Sequence, residues 1–321
     1  MFICPSCRAE YQLPNCNNCG HTTVAINNIW QLTSDPDIVT DGEGDKYIGY
    51  EYISESYSGN RKHVLEYPDI LFANEITRLT GNGIFLDLGC GDGCFTVPAA
   101  RNKTKIIAAD ISNKMMQILT QKANHNNVSL DNTTLCRMNA LKIMLADNTV
   151  DCAVSCSVLH LISRPDKVIN EIYRVLKPGG CFVYKDDSPG KTPDVPFDNT
   201  EYLNVVNNLY SLYWNLLAEH NIYPKKYSWK FDKEALCDNL FHSKEEIVVP
   251  VQMTYCNKLQ EGFLPRFLGR GFSDQIDVPL ELHNEVASIV IEKIKQMYGA
   301  GFGELEFHGV EPDVVMTVYR K

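Results

Sequence analysis

The sequence predicts an α/β fold, a mainly parallel sheet covered on both faces by helices. Three observations carry the prediction. Ile84-Phe85-Leu86-Asp87-Leu88 is a short apolar run that enters a cluster of glycines and opens a helix. A second run, Lys105 to Ala109, ends in the acid Asp110. Strand-length and helix-length segments then alternate through Tyr184. Such alternation implies parallel strands joined by right-handed crossovers, with any ligand at the carboxyl ends of the strands.

Composition narrows the classes further. The chain has 321 residues, 44% hydrophobic and 22% charged, which excludes disordered and collagen-like classes. Thirty Lys and Arg against forty Asp and Glu leave a formal charge of −10, which repels polyanions, so nucleic acid is a disfavoured partner without being excluded. No window approaches the ~18 apolar residues of a spanning helix. The longest candidate, Cys152 to Ile162, is broken by Ser155, Ser157 and His160, so no membrane partner is expected. Met1-Phe2-Ile3 lacks the basic and apolar regions of a signal peptide, and a cytoplasmic location is expected. In a reducing compartment the twelve cysteines read as thiols or metal ligands.

Four of those cysteines fall together as Cys4-Pro5-Ser6-Cys7 and Cys16-Asn17-Asn18-Cys19. Each C-x2-C pair places two sulfurs on one tight turn, and two such turns close a tetrahedral four-sulfur site, with zinc as its usual occupant and iron the chemical alternative. The few residues between the pairs allow little more than a hairpin, so residues 1–30 read as a structural zinc ribbon that needs its metal to fold. A ribbon of this kind is also a handle for a protein partner or RNA. Residues 31–59, rich in Asp, Gly and Tyr, read as a linker and N-terminal cap segment.

The glycine cluster is Gly89-Cys90-Gly91-Asp92-Gly93, followed by a helix from Phe95 to Arg101. It departs from the dinucleotide pattern G-x-G-x-x-G, because Cys94 holds the third required position. D-x-G-x-G-x-G suits instead a ligand whose amino-acid portion lies against the loop. Asp110 stands where a Rossmann-type unit binds ribose hydroxyls. After it come a helix from Asn113 to Asn127, a strand from Thr134 to Met138, and Asn139-Ala140. A strand from Cys152 to Cys156 leads to Ser157-Val158-Leu159-His160, and an amphipathic helix from Arg164 to Leu176 stops at Lys177-Pro178-Gly179-Gly180 before the strand Cys181 to Tyr184.

On these motifs the chain resembles the class I S-adenosylmethionine-dependent methyltransferases of the type-11-like kind. The resemblance implies a Rossmann-like, mainly parallel seven-stranded sheet over residues 60–321, with a helical, lid-like insertion at about 189–243 carrying Tyr202, Tyr210, Tyr213, Trp214, Tyr223, Tyr227 and Trp229. It assigns Asp87, Gly89, Cys90, Gly91 and Gly93 to the methionine end of the cofactor, Asp110 to the ribose, Ile111, Asn139 and Ala140 to the adenine, and Ser157 to the end of the fourth strand. Asn139 stands where the family usually has Asp, though its amide oxygen still accepts a hydrogen bond. His160, Asp186 and Asp187 are the catalytic candidates, and Arg266 and Arg270 could hold an anionic group. Methyl transfer from a sulfonium is an in-line displacement, so the protein mainly holds acceptor and methyl group close together in a dry site. A base is needed only where the acceptor must lose a proton.

The leading expectation is a methyltransferase for a small molecule. The alternatives are an RNA base methyltransferase of the rRNA guanine type that docks through the ribbon, and a non-catalytic regulatory protein that keeps the cofactor pocket.

Overall fold

A computed structural model describes residues 1–33, 50–59, 63–185, 197–224, 232–251, 253–272, 274–275 and 277–321. Four short strands come first, β1 (Phe2–Ile3), β2 (Glu10–Tyr11), β3 (Ala25–Ile26) and β4 (Ile29–Gln31). Helices α1 (Tyr50–Ser58) and α2 (Tyr67–Thr80) precede β5 (Ile84–Leu88), α3 (Thr96–Arg101), β6 (Lys105–Asp110), α4 (Asn113–His125) and β7 (Thr133–Arg137). Then follow β8 (Val150–Cys156), α5 (Pro165–Val175), β9 (Leu176–Lys185), α6 (Thr200–Glu219) and α7 (Lys233–Leu240). The chain ends with β10 (Ser243–Val249), β11 (Met253–Lys258), α8 (Phe263–Leu268), α9 (Leu280–Tyr298), β12 (Glu306–Glu311) and β13 (Val314–Arg320).

The main sheet has the order β10-β13-β9-β8-β5-β6-β7-β4-β3. It holds nine strands where seven were expected. The difference lies at the N-terminus: β4 pairs parallel with β7, Ile29 opposite Leu135 and Gln31 opposite Arg137, and β3 folds back antiparallel on β4. Residues of the expected ribbon segment therefore extend the sheet edge. From β4 to β9 the paired strands are parallel, and β13 and β10 run antiparallel at the other edge. The chain leaves β5 for β6 and β7 on one side and returns to β8 on the other, so the topological switch point lies between β5 and β8.

Alternation within the strands builds the two covered faces. Leu86, Leu88, Ile107 and Ala109 join one apolar cluster, while Phe85, Ile106 and Ala108 join the other. The first cluster includes Cys4, Tyr11 and Cys16, so the cysteine turns pack on the sheet, and Ile3 donates its amide to Met144 O at 2.9 Å. Lys177 to Gly180 lie within β9, where the pairing with β8 shifts register between Val150 and Cys152. That irregularity explains why these residues read as a stop.

The aromatic insertion forms a third core with α8 and α9. Tyr213 is fully buried and donates its hydroxyl to His283 Nδ1 at 2.6 Å, while His283 Nε2 donates to Leu268 O at 2.9 Å. Tyr227 and Trp229 lie outside the described residues. No helix among the described residues is long and apolar enough to cross a membrane.

Candidate active site

The switch point opens into a cavity of about 340 Å³. The chain leaves β5 through a turn that only glycine tolerates easily: Gly89 has φ +81°, and a Cβ there would meet Val158 Cγ2 at 2.2 Å. The amides of Gly89 and Cys90 donate to Ala109 O at 2.7 and 3.1 Å, tying the turn to the end of β6. Gly91 donates its amide to Asp110 Oδ2 at 2.8 Å, and Ser112 donates to Asp110 Oδ1 at 2.9 Å. The carboxylate has acceptor capacity beyond these two bonds for a ligand hydroxyl. Burial pushes this carboxyl up, against the pull of the Ser112 and Gly91 amides.

Asp87 is 2% exposed and lines the same cavity. Burial pushes its carboxyl up to about 7, and the Thr96 hydroxyl, which donates to Asp87 Oδ2 at 2.5 Å, works in the opposite direction. A buried carboxyl held near neutrality fits a ligand ammonium, whose charge would stabilise the ionised form. Asp92, next along the loop, has its partner already: Lys122 Nζ lies 3.2 Å from Asp92 Oδ2, and Lys122 is 1% exposed.

Of the residues expected to bind cofactor, Asp87, Gly89, Cys90, Gly91, Asp110, Ile111, Asn139, Ala140 and Ser157 all line this cavity. Gly93 does not. Its φ is +84°, and a Cβ would lie 2.5 Å from Leu119 Cγ and 2.9 Å from Val97 Cγ2, so it packs the loop against α4 and α3. Asn139 turns its own chain, its Oδ1 accepting from the Leu141 amide at 2.9 Å. Ser157 follows β8 with φ 55°, a strained value for a residue with a side chain.

Of the catalytic candidates, His160 alone falls among the described residues. His160 sits half-buried on the short turn Leu159–Leu161 and is not among the residues lining the cavity. Asp186 and Asp187 lie outside the described residues. Arg266 and Arg270 do not line the cavity either: Arg266 Nε donates to Gly271 O at 3.0 Å and its guanidinium lies 4.7 Å from the Phe272 ring, and Arg270 donates to Val278 O.

The cavity also has walls that the sequence reading missed. No described residue of the insertion at 189–243 lines it; the aromatic walls come from Tyr50 and Tyr57 of α1 and from Phe95. Glu51 holds α1 in place, its Oε2 accepting from Ser112 Oγ at 2.6 Å and from the Lys114 amide at 3.1 Å at the start of α4. Glu66 and Asp69 at the entry to α2 and Glu311 at the end of β12 add polar groups to the lining, with Pro68 beside them. The seven-residue spacing of Tyr50 and Tyr57, two helical turns, was the available signal.

A second donor set lies in the N-terminal turns. The sulfurs of Cys4, Cys7, Cys16 and Cys19 all lie within 4.8 Å of one another. The Cys4–Cys19 and Cys7–Cys16 separations are both 3.7 Å. A tetrahedral four-sulfur site with metal–sulfur bonds of about 2.3 Å has edges of about 3.8 Å. Asn18 Nδ2 donates to Cys7 Sγ at 3.3 Å and, with the Ala9 amide, pulls that thiol down, while the neighbouring Cys19 thiol is pushed up in turn.

The chain is similar in sequence to several methyltransferases. The chain is 29% identical over 168 residues to a sterol 4-C-methyltransferase of Caenorhabditis elegans, covering 51% of this chain and 49% of that protein. It is 34% identical over 121 residues to a demethylmenaquinone methyltransferase of Lactiplantibacillus plantarum, covering 37% and 49%. The chain thus spans about half the length of the curated relatives it matches. Among solved structures, an N-methyltransferase of Haemonchus contortus bound to phosphomonomethylethanolamine and S-adenosylhomocysteine aligns with a TM-score of 0.40 and 16% identity, over 86% of this chain and 56% of that one. The family described as "Methyltransferase domain" matches residues 86–184, the segment that carries the glycine turn, Asp110 and strands β6 to β9. Over that segment, about a third of the chain, it is similar to methyltransferase domains.

Proposed function

We propose that the protein transfers a methyl group from S-adenosylmethionine to a small-molecule acceptor, and that residues 60–321 form the catalytic unit. The observation that carries this reading is the convergence of Asp87, the Gly89–Gly91 turn and Asp110 on one cavity. When bound, the cofactor supplies an activated methyl group on a sulfonium. Asp87 would bind its ammonium, Asp110 its ribose hydroxyls, and Ile111 with Asn139 and Ala140 its adenine. Tyr50, Tyr57 and Phe95 would exclude water from the acceptor side, and a dry, positioned acceptor is most of what the displacement requires.

Glu66, Asp69 and Glu311 also line the cavity, and no Lys or Arg lines it among the described residues. The formal charge of −10 disfavours a polyanion, so the RNA reading is less supported. The sterol and quinone enzymes among the relatives act on small molecules, consistent with this reading. In the N-terminal turns we propose structural zinc: a filled four-sulfur site has no open position for catalysis.

Two measurements test the proposal. Calorimetry with S-adenosylhomocysteine should show one site per chain, and absence of heat would remove the cofactor assignment. Methyl transfer from labelled S-adenosylmethionine to neutral and amine acceptors separates an enzyme from a binding protein, which would retain affinity without turnover.

A further inference from the structure

Far from the cysteine turns, β11 and β12 form a separate two-stranded antiparallel ribbon. Cys256 and His308 are directly opposed in it, and Glu306 lies two residues from His308 on the same face. The ligand atoms of all three approach within 4.8 Å of one another. Cys256 Sγ and His308 Nε2 are 3.9 Å apart, and His308 Nε2 and Glu306 Oε2 are 3.1 Å apart. A tetrahedral zinc ion with ordinary bond lengths would place these pairs at about 3.6 and about 3.4 Å, each within a few tenths of an ångström of the separation found.

Two further contacts favour a ligand here. Lys258 stands opposite Glu306 but gives its ammonium to Glu304 at 2.8 Å, so the expected cross-strand ion pair for Glu306 is diverted. Asn199 brackets the His308 backbone, its Nδ2 donating to His308 O at 2.7 Å and its Oδ1 accepting from His308 N at 2.9 Å. The backbone that presents the imidazole is thereby fixed before any ion arrives, which lowers the ordering cost of binding.

We propose that Cys256, Glu306 and His308 form a second zinc site, with three protein ligands and a fourth position open to solvent. Binding exchanges the thiol proton for metal, so one proton leaves to solvent as the ion enters. The strand that carries Glu306 and His308 runs on to Glu311 in the cavity wall, so the ion would clamp the ribbon that delivers Glu311.

Zinc measured on the full-length protein after equilibration with micromolar zinc and gel filtration tests this. The wild type should hold two zinc ions per chain. Cys256→Ser and His308→Ala should each leave one, Glu306→Gln should weaken the second site at least tenfold, and Cys4→Ser with Cys7→Ser should remove only the other ion. Cobalt titration should show tetrahedral bands for this site that Cys256→Ser abolishes, and bound zinc should slow amide exchange across Met253–Lys258. One zinc per chain unchanged by Cys256→Ser would overturn the proposal. So would a second ion that survives both His308→Ala and Glu306→Gln. Neither result bears on the four-cysteine site or on methyl transfer, which have their own variants.

Discussion

If Asp87 binds the ligand ammonium as proposed, its buried carboxyl makes cofactor affinity depend on pH in a calculable way. Burial holds it at about 7 in the free protein. If the ligand ammonium binds the ionised form, the competent fraction is about 0.09 at pH 6 and about 0.91 at pH 8. Affinity for S-adenosylhomocysteine should therefore rise about tenfold over that interval, worth about 1.4 kcal/mol. Calorimetry from pH 5.5 to 8.5, compared with Asp87→Asn, isolates the effect, because the ligand's own titration is common to both proteins. The variant should bind more weakly, and its profile should lose the step near pH 7. Thr96→Val removes the hydroxyl that favours the ionised form, so it should move the midpoint upward. The sign for folding is opposite. Because the folded-state value lies above the unfolded one, Asp87's contribution to stability is full below pH ~4 and is lost as pH rises towards 7. Parallel pH profiles in wild type and Asp87→Asn would refute the reasoning.

Three further outcomes follow from the same geometry. Asp110→Ala should weaken S-adenosylhomocysteine binding by roughly 1–3 kcal/mol and also lower Tm, because the Gly91 and Ser112 amides lose their acceptor; unchanged affinity by calorimetry would count against the ribose assignment. Lys122→Met should destabilise by roughly 3–5 kcal/mol in denaturant titration by leaving Asp92 buried and uncompensated, and Lys122→Met with Asp92→Asn should recover much of the loss. Replacing Cys4 and Cys7 with Ser should abolish zinc at the four-cysteine site while circular dichroism still reports most of the α/β signal. Wild-type metal content there would reject that site.

The legible parts of this fold are those governed by local rules. The turn after β5 was readable because Gly89 and Gly91 need positive φ, and Asp110 because an acid ending the second strand has one place to go in this topology. What escaped was non-local. Ile29-Trp30-Gln31 is too short a run to announce a strand, and its membership of the sheet is decided by Leu135 to Arg137, a hundred residues away. Tyr50 and Tyr57 sit beside an Asp- and Gly-rich segment whose composition masked their helix. Glu311 reaches the cavity only through the pairing of β12 with β11, which no local pattern encodes. Tyr213 of the lid-like insertion packs in a core with α8 and α9, a contact set by helices far along the chain. Gly93 looked like its two neighbours in sequence, yet its missing side chain makes room for Leu119, not for a ligand.

The attachment of β4 and β3 to β7 has a consequence for solution behaviour. Without them, β7 would expose a row of open backbone donors and acceptors, a template for pairing with another chain. The N-terminal hairpin closes that template with a two-residue outer strand too short to propagate. The chain between the cysteine turns and this hairpin is short, so stripping the proposed zinc with a chelator should loosen the cover together with the turns. Self-association that appears on chelation and reverses when zinc is restored would be the visible trace of that arrangement.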